Sequence, residues 1–245
     1  MKLNKKILIA AVVCTIVGGI ITAASTAVMY DASMENVRTV TKTAETDISK
    51  ISLSADAGNI KVISSDTDEV TLTYSEDDTT RYTVVEENGM LSVSPEKISR
   101  SKAEWYDYYF SIDFHSNDIT LSIPSDFFAE TEIRTDLGNV DISGLNGVLT
   151  AESDYGNIKI TGGEFSKLEL NVDCGNIEFK DISGDDIYME SDLGDIRGTI
   201  AGKYSDYSIW AEAEVGHCNL LRSADGPKHL AAHANVGDIN IHFEP

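Results

Sequence analysis

From Thr131 onward, apolar and polar residues alternate at period two, and one short phrase punctuates the alternation. The phrase is an acid, an apolar residue, glycine, Asn or Asp, then an aliphatic. It reads Asp136-Leu137-Gly138-Asn139-Val140, and recurs around Gly156, Gly175 and Gly194. Looser copies surround Gly216 and Gly237, and an outlying copy surrounds Gly58. From Gly138 the glycines are 18, 19, 19, 22 and 21 residues apart. Period-two runs joined by a turn and repeating about every 20 residues predict an all-β, parallel β-solenoid, one rung per copy.

Aligned on the glycines, columns of like residues emerge. Positions seven and five before glycine, one before, and two and four after are almost all apolar, and are expected to point inward. Each buried aliphatic contributes on the order of 1.5–3 kcal/mol, shared between neighbouring rungs. Position one after glycine runs Asn59, Asn139, Asn157, Asn176, Asp195, His217, Asp238, a predicted outer hydrogen-bonding column. Position three after runs Asp141, Lys159, Glu178, Arg197, whose alternating signs favour register. Glycine is expected to supply the positive φ of a corner.

The first rung, Ile48–Val62, is separated from the regular stack by a β-rich excursion. Tyr82–Val93 reads as a hairpin with an Asn88-Gly89 turn, and Ile119–Ile123 as a strand stopped by Pro124. Trp105, Tyr106, Tyr108, Tyr109 and Phe110 form the densest aromatic patch, read as a cap over an open end or as a ligand face. The expected organisation is a basic end (1–6), a transmembrane helix (7–30), a stalk (31–47), first rung plus cap or excursion (48–130) and regular solenoid (131–245).

Residues 7–30 are uncharged, and as a helix would be about 36 Å long, enough to cross a bilayer. Lys2, Lys5 and Lys6 place the N-terminus in the cytoplasm and the β domain outside. A cleaved signal peptide, with Ser25-Thr26-Ala27 at its end, is the rival reading. The formal charge of −22 excludes nucleic acid and anionic lipid as partners of the β domain. Cys174 and Cys218, two rungs apart by sequence order, are too distant for a disulfide and are expected to be buried thiols.

Candidate chemistry concentrates two positions before glycine, where Asp56, Asp136, Asp154, Asp173 and Asp192 precede Glu214 and Asn235. Like charges about 5 Å apart oppose stacking. Either each carboxylate accepts an N–H of its own turn, or Asp136, Asp154, Asp173 and Asp192 hold a row of Ca²⁺ between rungs. No other cofactor is expected. His229 and His233 have metal-like spacing only on a helix, and this stretch reads as loop and strand. A glycan-active enzyme using these aspartates with Lys159 or Arg197 is disfavoured, because one acid repeated on every rung reads as scaffold rather than as unlike groups converging.

Ile119-Thr120-Leu121-Ser122-Ile123-Pro124-Ser125, followed by the copies at Gly138, Gly156 and Gly175, resembles a bacterial family of candidate adhesins of unknown function, domain-of-unknown-function family 4097. The resemblance covers residues ~45–245. It implies an extracellular parallel β-solenoid, in some members tied to envelope-stress systems of Gram-positive bacteria, and supplies no catalytic residues. The chain is thus expected to be a non-enzymatic, membrane-anchored, single-pass surface protein that binds cell-wall polymer or an envelope protein. An accessory sensor subunit is the alternative.

Overall fold

A computed structural model describes residues 37–77, 80–96, 118–222 and 226–244. The expected transmembrane helix and the aromatic patch at 105–110 lie outside the described residues. Among the described residues no helix is long and apolar enough to cross a membrane.

The described body is all-β. Its strands are β1 (Arg38–Thr43), β2 (Lys50–Ala57), β3 (Ile60–Ser65), β4 (Thr71–Glu76), β5 (Tyr82–Glu87), β6 (Met90–Pro95), β7 (Ile119–Pro124), β8 (Phe128–Leu137) and β9 (Val140–Ser143). They continue as β10 (Asn146–Tyr155), β11 (Ile158–Thr161), β12 (Glu164–Cys174), β13 (Ile177–Leu193), β14 (Ile196–Ala201), β15 (Tyr207–Val215), β16 (Lys228–Val236) and β17 (Ile239–Glu244). Two parallel ladders form, joined at glycine corners. One runs β7-β3-β9-β11-β13-β14-β17. The other runs β6-β2-β8-β10-β12-β13-β16-β15. The long strand β13 belongs to both. Its bend coincides with Asp181, whose φ of 54° is reached by few residues other than Gly, Asn and Asp.

The rungs do not stack in the order expected from the sequence. The last two rungs are exchanged: β16 pairs with β13 on one side and β15 on the other. The chain makes its terminal rung at β15, then returns to fill the gap beside β13. The glycines therefore stack as 58, 138, 156, 175, 194, 237, 216.

The excursion also differs from expectation, since part of it joins the stack. β6 and β7 lie parallel to β2 and β3 and form a further rung, which the glycine phrase does not mark. Antiparallel strands then finish this end: β5 on β6, β4 on β7, and β1 on β4. The hairpin turn is as expected, with Asn88 at φ 53° and Gly89 at φ 74°. Arg38–Thr43, expected within the stalk, is the edge strand β1, paired with β4 over six residues.

The core holds four of the five columns expected inside, with two after glycine the most complete: Ile60, Val140, Ile158, Ile177, Ile196 and Ile239 are inaccessible. The fifth, one before glycine, is not part of it. Its place is taken by the column three before glycine: Ala55, Thr135, Ser153, Val172, Ser191 and Ala234 are buried. Three of those are polar, which disguised the column as a surface one. Their hydroxyls are used internally: Ser153 donates to the Gly138 carbonyl, Ser191 to those of Gly175 and Gly194, each at 3.2 Å. Thr135 donates to Gly58 at 3.5 Å. A buried hydroxyl needs such a partner.

Candidate functional site

The corner where the phrase sits is the most regular feature of the surface, and three columns meet there. The glycines form its spine. A Cβ on Gly156 would stand 1.9 Å from the Gly138 carbonyl oxygen, and one on Gly175 1.9 Å from that of Gly156. Positive φ, 152° at Gly156, adds to this, but close approach of successive corners is the stronger demand.

Beside the spine runs the amide ladder, in which each side-chain oxygen accepts the backbone N–H of the next rung. Asn59 Oδ1 accepts from Asn139 N at 3.0 Å, and Asn139 Oδ1 from Asn157 N at 2.9 Å. Asn157 Oδ1 accepts from Asn176 N at 2.9 Å, and Asn176 Oδ1 from Asp195 N at 2.8 Å. The ladder continues from Asp195 to Asp238 N at 2.9 Å, and from Asp238 to His217 N at 2.7 Å. Its other end is Asp118, which accepts both the N–H and the Nδ2 of Asn59. The sequence reading missed Asp118 because no glycine phrase announces it; the Asp118-Ile119 step into an alternating strand was the available signal.

On the other side of the spine stands the column one before glycine, expected inside and found outside. Leu137, Tyr155, Leu193, Val236 and Val215 are 53, 60, 53, 47 and 64% exposed. They are in register from rung to rung: Ala57–Leu137–Tyr155–Cys174–Leu193–Val236–Val215. The physical reason is the column three before glycine. Once it faces in, the chain turns outward over the next two residues before the corner. Cys174 is therefore half-buried in this row rather than a core thiol, and Cys218 is also half-buried. The exchange of rungs sets them three rungs apart, and both are free.

Next to the apolar row lies the acid column. Asp56, Asp136, Asp154, Asp173 and Asp192 are exposed. None of the four central aspartates accepts an N–H of its own turn among the described contacts; Asp192 instead accepts from Asn235 Nδ2 at 2.7 Å. The charges are felt by each other. Partial burial, then Asp154 and Asp56, push the Asp136 carboxyl above its ordinary range. Partial burial, then Asp154 and Asp192, do the same to Asp173. Among the described residues no group of three or more His, Cys, Asp and Glu is arranged to hold a metal ion.

The charge ladder is in register, with Lys159 opposite Asp141 and Glu178, and Glu178 opposite Arg197. Of these, Glu178 and Arg197 form an ion pair. The terminal rungs hold the other group of unlike residues. Trp210 stacks on His233 at 5.9 Å, Arg222 stands 6.0 Å over Trp210, and His233 lies 3.9 Å from Glu214. His229 lines a shallow groove with Trp210 and Arg222. It shares strand β16 with His233, and four strand residues hold the two about 13 Å apart, too far to share a metal ion.

No curated protein sequence matches the chain. Among solved structures, a candidate cell adhesion protein from Clostridium sporogenes is 17% identical with a TM-score of 0.46, the match covering 85% of this chain and 100% of that one. A candidate adhesin from Bacteroides fragilis is 18% identical with a TM-score of 0.46, over 83% and 97% of the two chains. A candidate lipid-binding protein from Parabacteroides distasonis is 12% identical with a TM-score of 0.26, over 86% and 98%. The model of the Toastrack DUF4097 family matches residues 48–245, and the chain belongs to that family.

Proposed function

We propose that the chain is a non-enzymatic, adhesin-like binding module, held at the outer face of the cell membrane by residues 7–30, that docks an envelope partner along the corner ridge. The observation carrying this reading is the exposed apolar row from Leu137 to Val215. A row that contributes little to the core, yet stays apolar on every rung, is the surface expected of an interaction site. The repeated acid column beside it supplies charge without the unlike, converging groups that catalysis needs.

The test is recovery of crosslinked partners from native membranes with the full-length chain. Leu137→Ser, Leu193→Ser and Val236→Ser together should abolish the recovered partner while leaving the melting temperature nearly unchanged. Unchanged recovery would sink the ridge as the docking surface. A partner caught only from residues 7–30 would favour the accessory-sensor alternative.

A further inference from the structure

The ridge carries two unfavourable features side by side, and one kind of partner relieves both. The apolar row exposes large side chains to water. The acid column sets like charges on successive rungs, and partial burial first, then the neighbouring carboxylates, push Asp136 and Asp173 above the ordinary carboxylate range. Building on the docking reading above, we propose that the ridge receives a cationic amphipathic α-helix of a partner protein, lying along the stack.

Charge decides the sign. A second copy of this chain would set acid column against acid column, and anionic polymer or lipid would be repelled in the same way. Aliphatic Leu137, Leu193, Val236 and Val215 offer a surface suited to Leu, Ile or Val side chains. A sugar face is better met by aromatic rings, of which the row has only Tyr155.

Spacing decides the conformation. Rungs repeat at about 4.8 Å, and an α-helix advances about 5.4 Å per turn, so one apolar side chain per turn drifts by only about 0.6 Å per rung. An extended strand repeats its facing side chains at about 6.6 Å and loses register within three rungs. The six steps from Ala57 to Val215 span roughly 29 Å, the length of about 19 helical residues. The acids flank one side of the row, and on the opposite side lie the glycine spine and, beyond it, the amide ladder, whose Asn oxygens already accept bonds. The partner helix therefore carries its Lys and Arg along one edge of its apolar stripe.

The experiment uses the full-length chain in nanodiscs of zwitterionic lipid, with empty nanodiscs subtracted. The probes are two labelled 19-residue helical peptides with the same Leu stripe, one flanked by Lys and one by Glu. The Lys peptide should bind at least tenfold more tightly than the Glu peptide, and weaken as salt rises. Binding should fall at least tenfold in the triple serine variant. It should fall as far in Asp136→Asn/Asp154→Asn/Asp173→Asn/Asp192→Asn, which leaves the core untouched. Removing four acids elsewhere, by Glu130→Gln/Glu152→Gln/Glu169→Gln/Glu190→Gln, should change it less than twofold. Equal losses in the two four-acid variants, or equal binding of the two peptides, overturn the proposal. Failure of the Lys peptide while partner recovery still depends on the ridge overturns the helix and spares the docking reading. If recovery is also independent of the ridge, both fall.

Discussion

The backbone N–H of His217 donates to Asp238 Oδ1 at 2.7 Å, so the rung written fifth in the regular repeat is stacked last. This accounts for the one residue that breaks the Asn/Asp column. Every inner member must offer an oxygen to the next rung, while the terminal member only donates its N–H. Asp118 at the opposite end has the converse role, as an acceptor only.

The exchanged order is directly testable by disulfide trapping. Glu190 and His233 are register partners. Across a parallel pair they are about 5 Å apart, within reach of a disulfide. Glu190 and Glu212 would be partners if rungs stacked in sequence order, but are separated by the intervening β16 strand. In a background without the native cysteines, Glu190→Cys/His233→Cys should crosslink on oxidation and Glu190→Cys/Glu212→Cys should not. The reverse result would restore sequential stacking.

The glycine spine makes a graded prediction. Gly156→Ala places a methyl 1.9 Å from the Gly138 carbonyl oxygen, backbone that cannot yield without separating the rungs. It should cost about 3 kcal/mol or more. Gly162 has φ +66° but nothing within 4 Å of an added Cβ. Gly162→Ala should therefore cost only the left-handed backbone penalty of about 1–2 kcal/mol. Chemical denaturation of the two variants compares them; equal losses would mean that φ alone selects glycine at the corner.

How much of this was legible follows from what each residue type signals. Register, the Asn column and the parallel rungs are readable because glycine marks seven corners, and Ile or Val follows at all of them but Gly216. The inward face before the corner is masked at Thr135, Ser153 and Ser191, whose hydroxyls find partners on glycine carbonyls brought near only by folding. Polar residues in that column make it look like surface, which leaves Leu137, Tyr155 and Leu193 to the core and hides the ridge. The rung exchange was unreadable for another reason. β15 and β16 carry the same inward pattern, so the apolar periodicity fits either order, and only the His217 exception hinted at the end of the stack.

The amide ladder should show its worth one rung at a time. Asn157→Ala removes the acceptor of the Asn176 N–H and the Nδ2 bond to Asn139 Oδ1, which is 3.1 Å long. A loss of about 1–3 kcal/mol is expected. Asn157→Asp keeps the acceptor and loses the donor, so it should cost less than the alanine variant at pH 7. Equal costs would show that the bond to the Asn176 N–H is of no consequence.

Glu86 fastens the β1–β2 connection to β5. Its carboxylate accepts from the Thr46 hydroxyl, from Thr46 N at 2.7 Å and from Glu45 N at 3.0 Å. The Thr46 hydroxyl first, then the Glu45 N–H, hold the carboxyl below its ordinary value of 4.5. A carboxyl depressed on folding stabilises the fold above that value and loses the contribution as pH falls through the folded pKa. Glu86→Gln should lower the melting temperature at pH 7, and the gap to wild type should close as pH drops below 4.5. A gap that is constant with pH would leave the stabilisation to shape rather than charge.

The acid column predicts the opposite sign. Asp136 and Asp173 are raised above the ordinary 3.8, so their contribution to stability is complete below that value and is lost as pH rises through the folded pKa. Once ionised, they oppose the fold. Asp136→Asn/Asp173→Asn should therefore be more stable than wild type at pH 7. The gain should stay below about 1 kcal/mol, because solvent screens these exposed groups. It should shrink on acidification and vanish below pH 3.8, and added salt should reduce it at pH 7. A cationic helix on the ridge would change the sign of the same substitutions, since the carboxylates would then have partners. Measured with the Lys-flanked peptide bound, the double Asn variant should be the less stable protein; if it remains the more stable one, the acids are not what holds the helix.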